Sequence, residues 1–74
     1  MDESKIFEII SDILFIDIHN ISLDSHLIND LNVDSLGVIE LVLAFESEIN
    51  EDIPEIVIEQ IKTVKDIVTY LKSR

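Results

Sequence analysis

Residues 30–48 read DLNVDSLGVIELVLAFESE, and this stretch decides the fold. Before Ser35 the apolar residues follow no sustained period, whereas after it they recur at helical spacing, so a helix is predicted to begin at Ser35. Asp34 and Ser35 are both residue types that cap helix N-termini. The first turn of a helix has unpaired backbone N–H groups and a partial positive charge, so an anionic group carried on the Ser35 oxygen would be stabilised there.

The predicted helix carries two apolar stripes rather than one. At about 100° per residue, one side is expected to face the core and consists of Val38, Leu41, Val42, Phe45 and Ile49. The second stripe consists of Leu36, Ile39 and Leu43, and Glu40 and Glu46 flank it. One apolar face is enough for packing, so the second stripe is either covered by the preceding loop or left exposed for a partner.

The chain before this helix contains one amphipathic helix and a long loop. Apolar residues at helical spacing predict a helix over residues 3–16, with Asp2 as its N-cap. Residues 17–34 show no period, although their scattered apolar side chains would hold the loop against the helices. Within this loop we expect a short helical turn over residues 27–31, capped by Ser25.

The chain after this helix contains one short and one longer helix. Pro54 suits the first turn of a helix over residues 55–61, which must be short. Thr63 and Asp66 match a capping box and predict a last helix that runs to about Lys72. The predicted fold is therefore all-α: a small four-helix bundle of three longer helices and one short helix, with a long loop between helices one and two.

Composition limits the classes of protein to which the chain can belong. Its 74 residues suit a single domain, 1–74, and 16 acidic against 5 basic residues give a net charge of −11. Such a surface repels nucleic acid and anionic lipid, and attracts partners that present Lys and Arg patches. The chain has no cysteine and no apolar run that would span a membrane, so we expect a cytoplasmic monomer without disulfides or thiolate chemistry.

One pattern resembles a calcium loop. Asp30, Asn32 and Asp34 follow the D-x-N-x-D opening of such a loop. A calcium loop then needs glycine where Ser35 stands and a bidentate glutamate where Leu41 stands. We therefore predict no metal site.

No catalytic constellation is visible either. Ser35 has half of a G-x-S-x-G nucleophile elbow but no preceding strand, and His19 and His26 lie in the predicted loop. Glu46 and Glu48 would lie about 160° apart on a helix and would not converge as an acid and base pair. The sequence thus predicts a protein that is not an enzyme.

An ordered set of residues resembles the acyl carrier protein family over nearly the whole chain. The matching positions are Asp30-Leu31, Asp34-Ser35-Leu36, Glu40-Leu41-Val42, Glu46, Ile53-Pro54 and Thr63-Val64. The resemblance implies that Ser35 is the attachment point of 4′-phosphopantetheine, transferred from coenzyme A by a phosphopantetheinyl transferase. The thiol of that arm would hold acyl groups as thioesters and present them to separate enzymes of type II fatty acid synthesis.

The resemblance also implies a docking face for acyl-handling enzymes with basic patches. The matching positions are Asp34, Leu36, Ile39, Glu40, Leu43, Glu46 and Glu48. Several residues depart from the family pattern: Gly37 and Ser47 stand where an acid is usual, Asn32 and Phe15 stand where a glycine is usual, and residues 56–58 are apolar where acids are common. Two alternatives stay open, namely a specialised carrier for a polyketide, lipid-modification or aminoacyl pathway, and an unmodified acidic helical adaptor.

Overall fold

The computed structural model describes all 74 residues, and its regular structure is helical. In chain order the elements are α1 (Glu3–Leu14), a 3-10 turn (Ile18–Asn20), α2 (Ser35–Ile49), α3 (Glu55–Gln60) and α4 (Val64–Leu71). These helices and the long segment between α1 and α2 confirm the predicted all-α fold with three longer helices and one short helix. None of the helices combines the length and the apolar character needed to cross a membrane.

The core is aliphatic and draws on every longer helix and on the loops between them. The face of α2 that was predicted to point inward does so, with Leu41 and Phe45 buried. The loop after α1 also contributes buried side chains, as its scattered apolar residues suggested. The buried hydrophobic residues are Ile6, Ile10, Ile21, Leu27, Val33, Leu41, Phe45, Ile53, Val64, Ile67, Val68 and Leu71.

Helix α1 ends two residues earlier than its apolar pattern suggests. Phe15 adopts a left-handed backbone with φ of 56°, and its N–H donates to the Ser11 carbonyl. The Ser11 hydroxyl also donates to the Ile16 carbonyl over 2.6 Å. A left-handed backbone costs a non-glycine residue about 1–2 kcal/mol. Hydrophobic periodicity cannot reveal this ending, because Phe15 and Ile16 are themselves apolar.

The long loop is fixed to the start of α4 by three backbone hydrogen bonds, one of which runs from the Lys65 N–H to the Leu23 carbonyl over 3.0 Å. The Leu27 N–H donates to the Lys62 carbonyl over 3.0 Å, and the Val64 N–H donates to the Ser25 carbonyl over 3.1 Å. These bonds place Leu27 in the core. The position of the loop therefore depends on the residues that precede α4.

The expected helical turn in this loop is present, but His26 caps it. The His26 Nδ1 accepts from the Ile28 and Asn29 N–H groups, each over 3.2 Å. The His26 N–H in turn donates to the Asp30 carboxylate over 2.7 Å. The prediction that Ser25 is the cap was wrong, because its hydroxyl accepts instead from the N–H of Ser22.

Helix α4 begins with the predicted capping box. The Thr63 hydroxyl accepts from the Asp66 N–H over 3.3 Å, and the Asp66 carboxylate accepts from the Thr63 N–H over 3.0 Å. The same carboxylate accepts from the Lys62 N–H over 2.8 Å. One side chain thus organises the segment to which the long loop is bonded.

Candidate functional site

Ser35 is the first residue of α2, and its side chain is free. The Asp34 carboxylate accepts from the Gly37 N–H over 2.8 Å, so Asp34 is the N-cap of the helix. Ser35 is exposed, and its hydroxyl makes no hydrogen bond within the protein. Of the two residues that suit capping, Asp34 performs it, and this leaves the Ser35 oxygen available for chemistry.

Two backbone donors beside this oxygen are unpaired. The N–H groups of Gly37 and Val38 are bonded to Asp34, whereas those of Ser35 and Leu36 have no acceptor within the protein. Helix α2 spans 15 residues, so its N-terminus carries the partial positive charge of a full macrodipole. The site therefore fits an anionic group bonded to the Ser35 oxygen.

The structure explains why glycine occupies position 37. A Cβ built on Gly37 would lie 2.9 Å from Val33 Cγ1 and 3.7 Å from Leu14 Cδ2. Val33 is buried directly under the first turn of α2. Glycine at 37 therefore leaves room for a branched side chain at 33, just before Asp34 and Ser35. The sequence did not single out Val33, although glycine within the first turn of a helix was a signal of close packing.

We predict that Gly37→Ala and Val33→Ala are coupled. In the wild-type background Gly37→Ala should cost about 1 kcal/mol, because overpacking of about 2 kcal/mol exceeds the helix-propensity gain of about 1 kcal/mol. In the Val33→Ala background the clash is absent, and the same change should stabilise by about 1 kcal/mol. Urea unfolding of the four proteins measures the coupling. A Gly37→Ala protein more stable than the wild type would show that Val33 moves aside freely.

The second apolar stripe of α2 lies open to solvent. Leu36, Ile39 and Leu43 are 63%, 54% and 59% exposed. The long loop therefore does not cover them, which answers the question that the sequence left open. Glu40 is exposed within the same helix. We name Leu36, Ile39 and Leu43 the apolar row; such a row beside carboxylates suits a partner that is both apolar and basic.

Three of the four acids expected beside this row have partners within the protein. The half-buried Glu46 accepts from the Ile53 N–H over 2.8 Å. Glu48 lies 3.8 Å from the Lys5 ammonium group of α1. Asp34 is exposed but bonded to the Gly37 N–H, so Glu40 is the one of the four that has no internal partner. A role for any of these four in binding a partner stays a prediction.

A small apolar cavity lies behind the core face of α2. Its volume is about 20 Å³, and ten hydrophobic residues line it, among them Val38, Val42, Leu27 and Tyr70. A space of this size holds about one water molecule, and walls without polar groups do not retain one. The cavity suits apolar atoms, and a larger apolar group would require the helices to separate.

Neither histidine is bonded to Ser35. The His26 Nδ1 is occupied by backbone donors. The His19 ring lies 2.9 Å from the Asp17 carboxylate, and hydrogen bonds from the His19 backbone N–H and ring hold the pKa of Asp17 below its usual value. The serine therefore has no hydrogen-bonded base to activate it as a nucleophile.

A small helical bundle that presents an exposed serine at a helix start, beside an open apolar row, fits a carrier domain. Comparison with known proteins agrees. The family model described as "Phosphopantetheine attachment site" matches residues 4–71. The chain belongs to this family of acyl carrier proteins, which are non-catalytic carriers with covalently bound phosphopantetheine.

Individual relatives support the assignment along the chain. The chain is 45% identical over 60 residues to the acyl carrier protein of Helicobacter hepaticus, which covers 81% of this chain and 79% of that protein. It is 39% identical over 69 residues to the acyl carrier protein of Clostridium acetobutylicum, at 93% and 90% coverage. A solved structure of a putative acyl carrier protein from Mycobacterium tuberculosis superposes with a TM-score of 0.88 at 32% identity, covering 96% of this chain and 95% of that one.

Proposed function

We propose that Ser35 carries the 4′-phosphopantetheine arm and that the protein delivers acyl groups to separate enzymes of type II fatty acid synthesis. The observation that carries this proposal is the free Ser35 hydroxyl at the start of α2. The wider surface of the chain supports it, because a net charge of −11 suits enzymes with basic docking patches. On this proposal residues 1–74 act as one monomeric carrier domain in the cytoplasm.

The residues around Ser35 would hold the phosphate of the arm. The unpaired N–H groups of Ser35 and Leu36 are available to phosphate oxygens, and the α2 macrodipole favours the negative charge. Asp34 keeps the first turn of α2 closed through its bond to Gly37. When bound, the arm supplies a thiol that forms thioesters with acyl groups, and this cysteine-free chain has no thiol of its own.

The apolar row and its neighbouring acids would form the docking face. Leu36, Ile39 and Leu43 offer exposed apolar area, while Asp34 and Glu40 offer negative charge to Lys and Arg side chains. Glu46 and Glu48 would add to the negative potential, although each already has a partner in the protein.

Reversing one charge beside the apolar row tests the docking face. Glu40 makes no internal hydrogen bond or ion pair, so Glu40→Lys should leave the Tm nearly unchanged. It should lower kcat/KM of an acyl-transfer enzyme for the phosphopantetheine-bearing protein by about tenfold, because a Lys then faces a basic patch. Glu59→Lys on α3 is the matched control, since Glu59 is also exposed and unpaired. Equal kcat/KM values for Glu40→Lys and Glu59→Lys would show that Glu40 does not contribute to docking.

The function as a whole is tested by incubation with coenzyme A and a phosphopantetheinyl transferase, followed by intact-mass measurement. We expect the mass of one phosphopantetheine arm to be added, and the product to be loaded and elongated by fatty acid synthesis enzymes. A chain that is never modified would overturn the carrier proposal. A modified chain that those enzymes refuse would overturn the assignment to fatty acid synthesis.

A further inference from the structure

Phe15 has a conformation and an environment that folding stability does not explain. Its side chain is 94% exposed, more than any other large hydrophobic residue of the chain. Its backbone is left-handed, with φ of 56°, where glycine would be free of strain. An exposed aromatic ring gains nothing from the core, and the strained backbone opposes folding. Both features therefore point to a role in binding a partner rather than in stabilising the fold.

The turn around Phe15 fixes the backbone from which the exposed ring projects. The Phe15 N–H and the Ile16 N–H both donate to the Ser11 carbonyl, the latter over 3.3 Å. The Ser11 hydroxyl closes the turn by donating to the Ile16 carbonyl. Because the backbone is fixed, little backbone entropy is lost when a partner covers the ring, and the ring itself has only two χ angles to order.

The turn lies at the same end of the molecule as Ser35. Leu14, the residue before Phe15, packs against Gly37, with its Cδ2 3.7 Å from the position of a Cβ there. Gly37 is two residues after Ser35 in the first turn of α2. Asp12 and Asp17 flank Phe15 in the sequence and are exposed, and Asp17 also bonds to His19. The turn thus offers an exposed apolar ring on a segment with two acids, and such a segment suits an apolar pocket bordered by Lys or Arg.

We propose that Phe15 is an anchor for the phosphopantetheinyl transferase, inserted into an apolar pocket on that enzyme with a basic border. This inference rests on the proposed function of Ser35. The transferase is the fitting occupant because it must bring its reacting groups to the Ser35 oxygen itself. Acyl-handling enzymes react instead at the thiol, at the far end of the arm, and their proposed docking face is the apolar row of α2, which does not include Phe15.

The test compares Phe15→Gly, Phe15→Asn and Phe15→Leu as substrates of a phosphopantetheinyl transferase with coenzyme A. The first two should raise KM for the carrier about tenfold with kcat little changed, because one anchoring side chain is lost. Phe15→Leu keeps an apolar side chain and should stay within about threefold of the wild type. Phe15→Gly should also raise the Tm by about 3 °C, since backbone strain is relieved. Ile56→Asn, at an exposed apolar residue of α3, is the matched control and should leave KM unchanged.

The outcomes separate this inference from the proposed function. If the wild type is modified and Phe15→Gly and Phe15→Asn are modified with the same KM, the anchor role is overturned and the carrier function stands. If Phe15→Asn impairs only acyl-handling enzymes, the assignment to the transferase is overturned. If the wild type itself is never modified, the proposed function fails and this inference fails with it.

Discussion

Ser35→Ala is expected to abolish phosphopantetheine attachment completely while the fold is retained. The Ser35 hydroxyl makes no hydrogen bond within the protein, and Asp34 caps the helix without it. Alanine also has a higher helix propensity than serine, by about 0.5 kcal/mol. The Tm of the variant should therefore match or slightly exceed that of the wild type. Intact mass after incubation with coenzyme A and transferase measures the loss.

The control for this prediction is another serine of the same helix. Ser47 is exposed on α2 and has no hydrogen-bond partner, so Ser47→Ala matches Ser35→Ala in chemistry and exposure. It differs in lying far from the helix N-terminus, and it should be modified at the wild-type rate. Modification of Ser35→Ala would move the attachment site to another hydroxyl and would remove the basis of the docking face proposed here.

Much of this site follows from the sequence because it depends on local signals. The start of α2 at Ser35, the inward face with Leu41 and Phe45, and the capping box of Thr63 and Asp66 each depend on residues within one or two turns. Local spacing fixes such features directly. Whether the apolar row is covered is a different question, because it depends on the path of a loop without periodicity.

The features that the sequence did not predict arise from contacts between separate segments. Glu46 bonds to Ile53, and Glu48 pairs with Lys5 of α1, so two expected docking acids have partners that no spacing within α2 reveals. The first turn of α2 lies against α1, since Leu14 Cδ2 is 3.7 Å from the position of a Cβ on Gly37. In each case the partner becomes known only when the tertiary fold brings the two segments together.

The cap of the helical turn in the long loop is a further feature that the sequence did not predict. Ser25 is the residue type expected at a cap, yet it accepts from the Ser22 N–H. His26 takes the capping role because its neutral ring nitrogen can accept two N–H groups and its own N–H reaches Asp30. Residue preferences for capping are statistical, whereas the turn is fixed by the bonds between Leu27, Val64 and their partners across the loop.

Asp66→Ala is expected to destabilise the protein by about 3 kcal/mol, because two backbone donors lose a charged acceptor. The Asp66 carboxylate accepts from Lys62 and Thr63, and the same segment bonds to the loop through Leu27. A loss of this size corresponds to a fall in Tm of roughly 15 °C for a domain this small. Urea unfolding and thermal melts measure it. Asp12→Ala, which removes an exposed and unpaired carboxylate, controls for the relief of charge repulsion.

The pH dependence of stability gives the same prediction a second, independent test. Hydrogen bonds from the backbone N–H groups of Lys62 and Thr63 hold the pKa of Asp66 below its usual value, although partial burial opposes them. Because the folded pKa is the lower one, the stabilisation is complete above the unfolded value of about 3.9 and is lost as the pH falls through the folded pKa. The wild type should therefore lose more stability below about pH 4 than Asp66→Ala does.

Hydrogen exchange distinguishes a local role of Asp66 from a general one. If the carboxylate organises the start of α4, Asp66→Ala should reduce protection of the Leu27 and Val64 amides more than that of the Ile10 amide in α1. The loop that leads to Val33 and Ser35 would then open before the helices separate. Equal loss of protection at all three amides would contradict this role, and would mean that Asp66 stabilises the fold only as a whole.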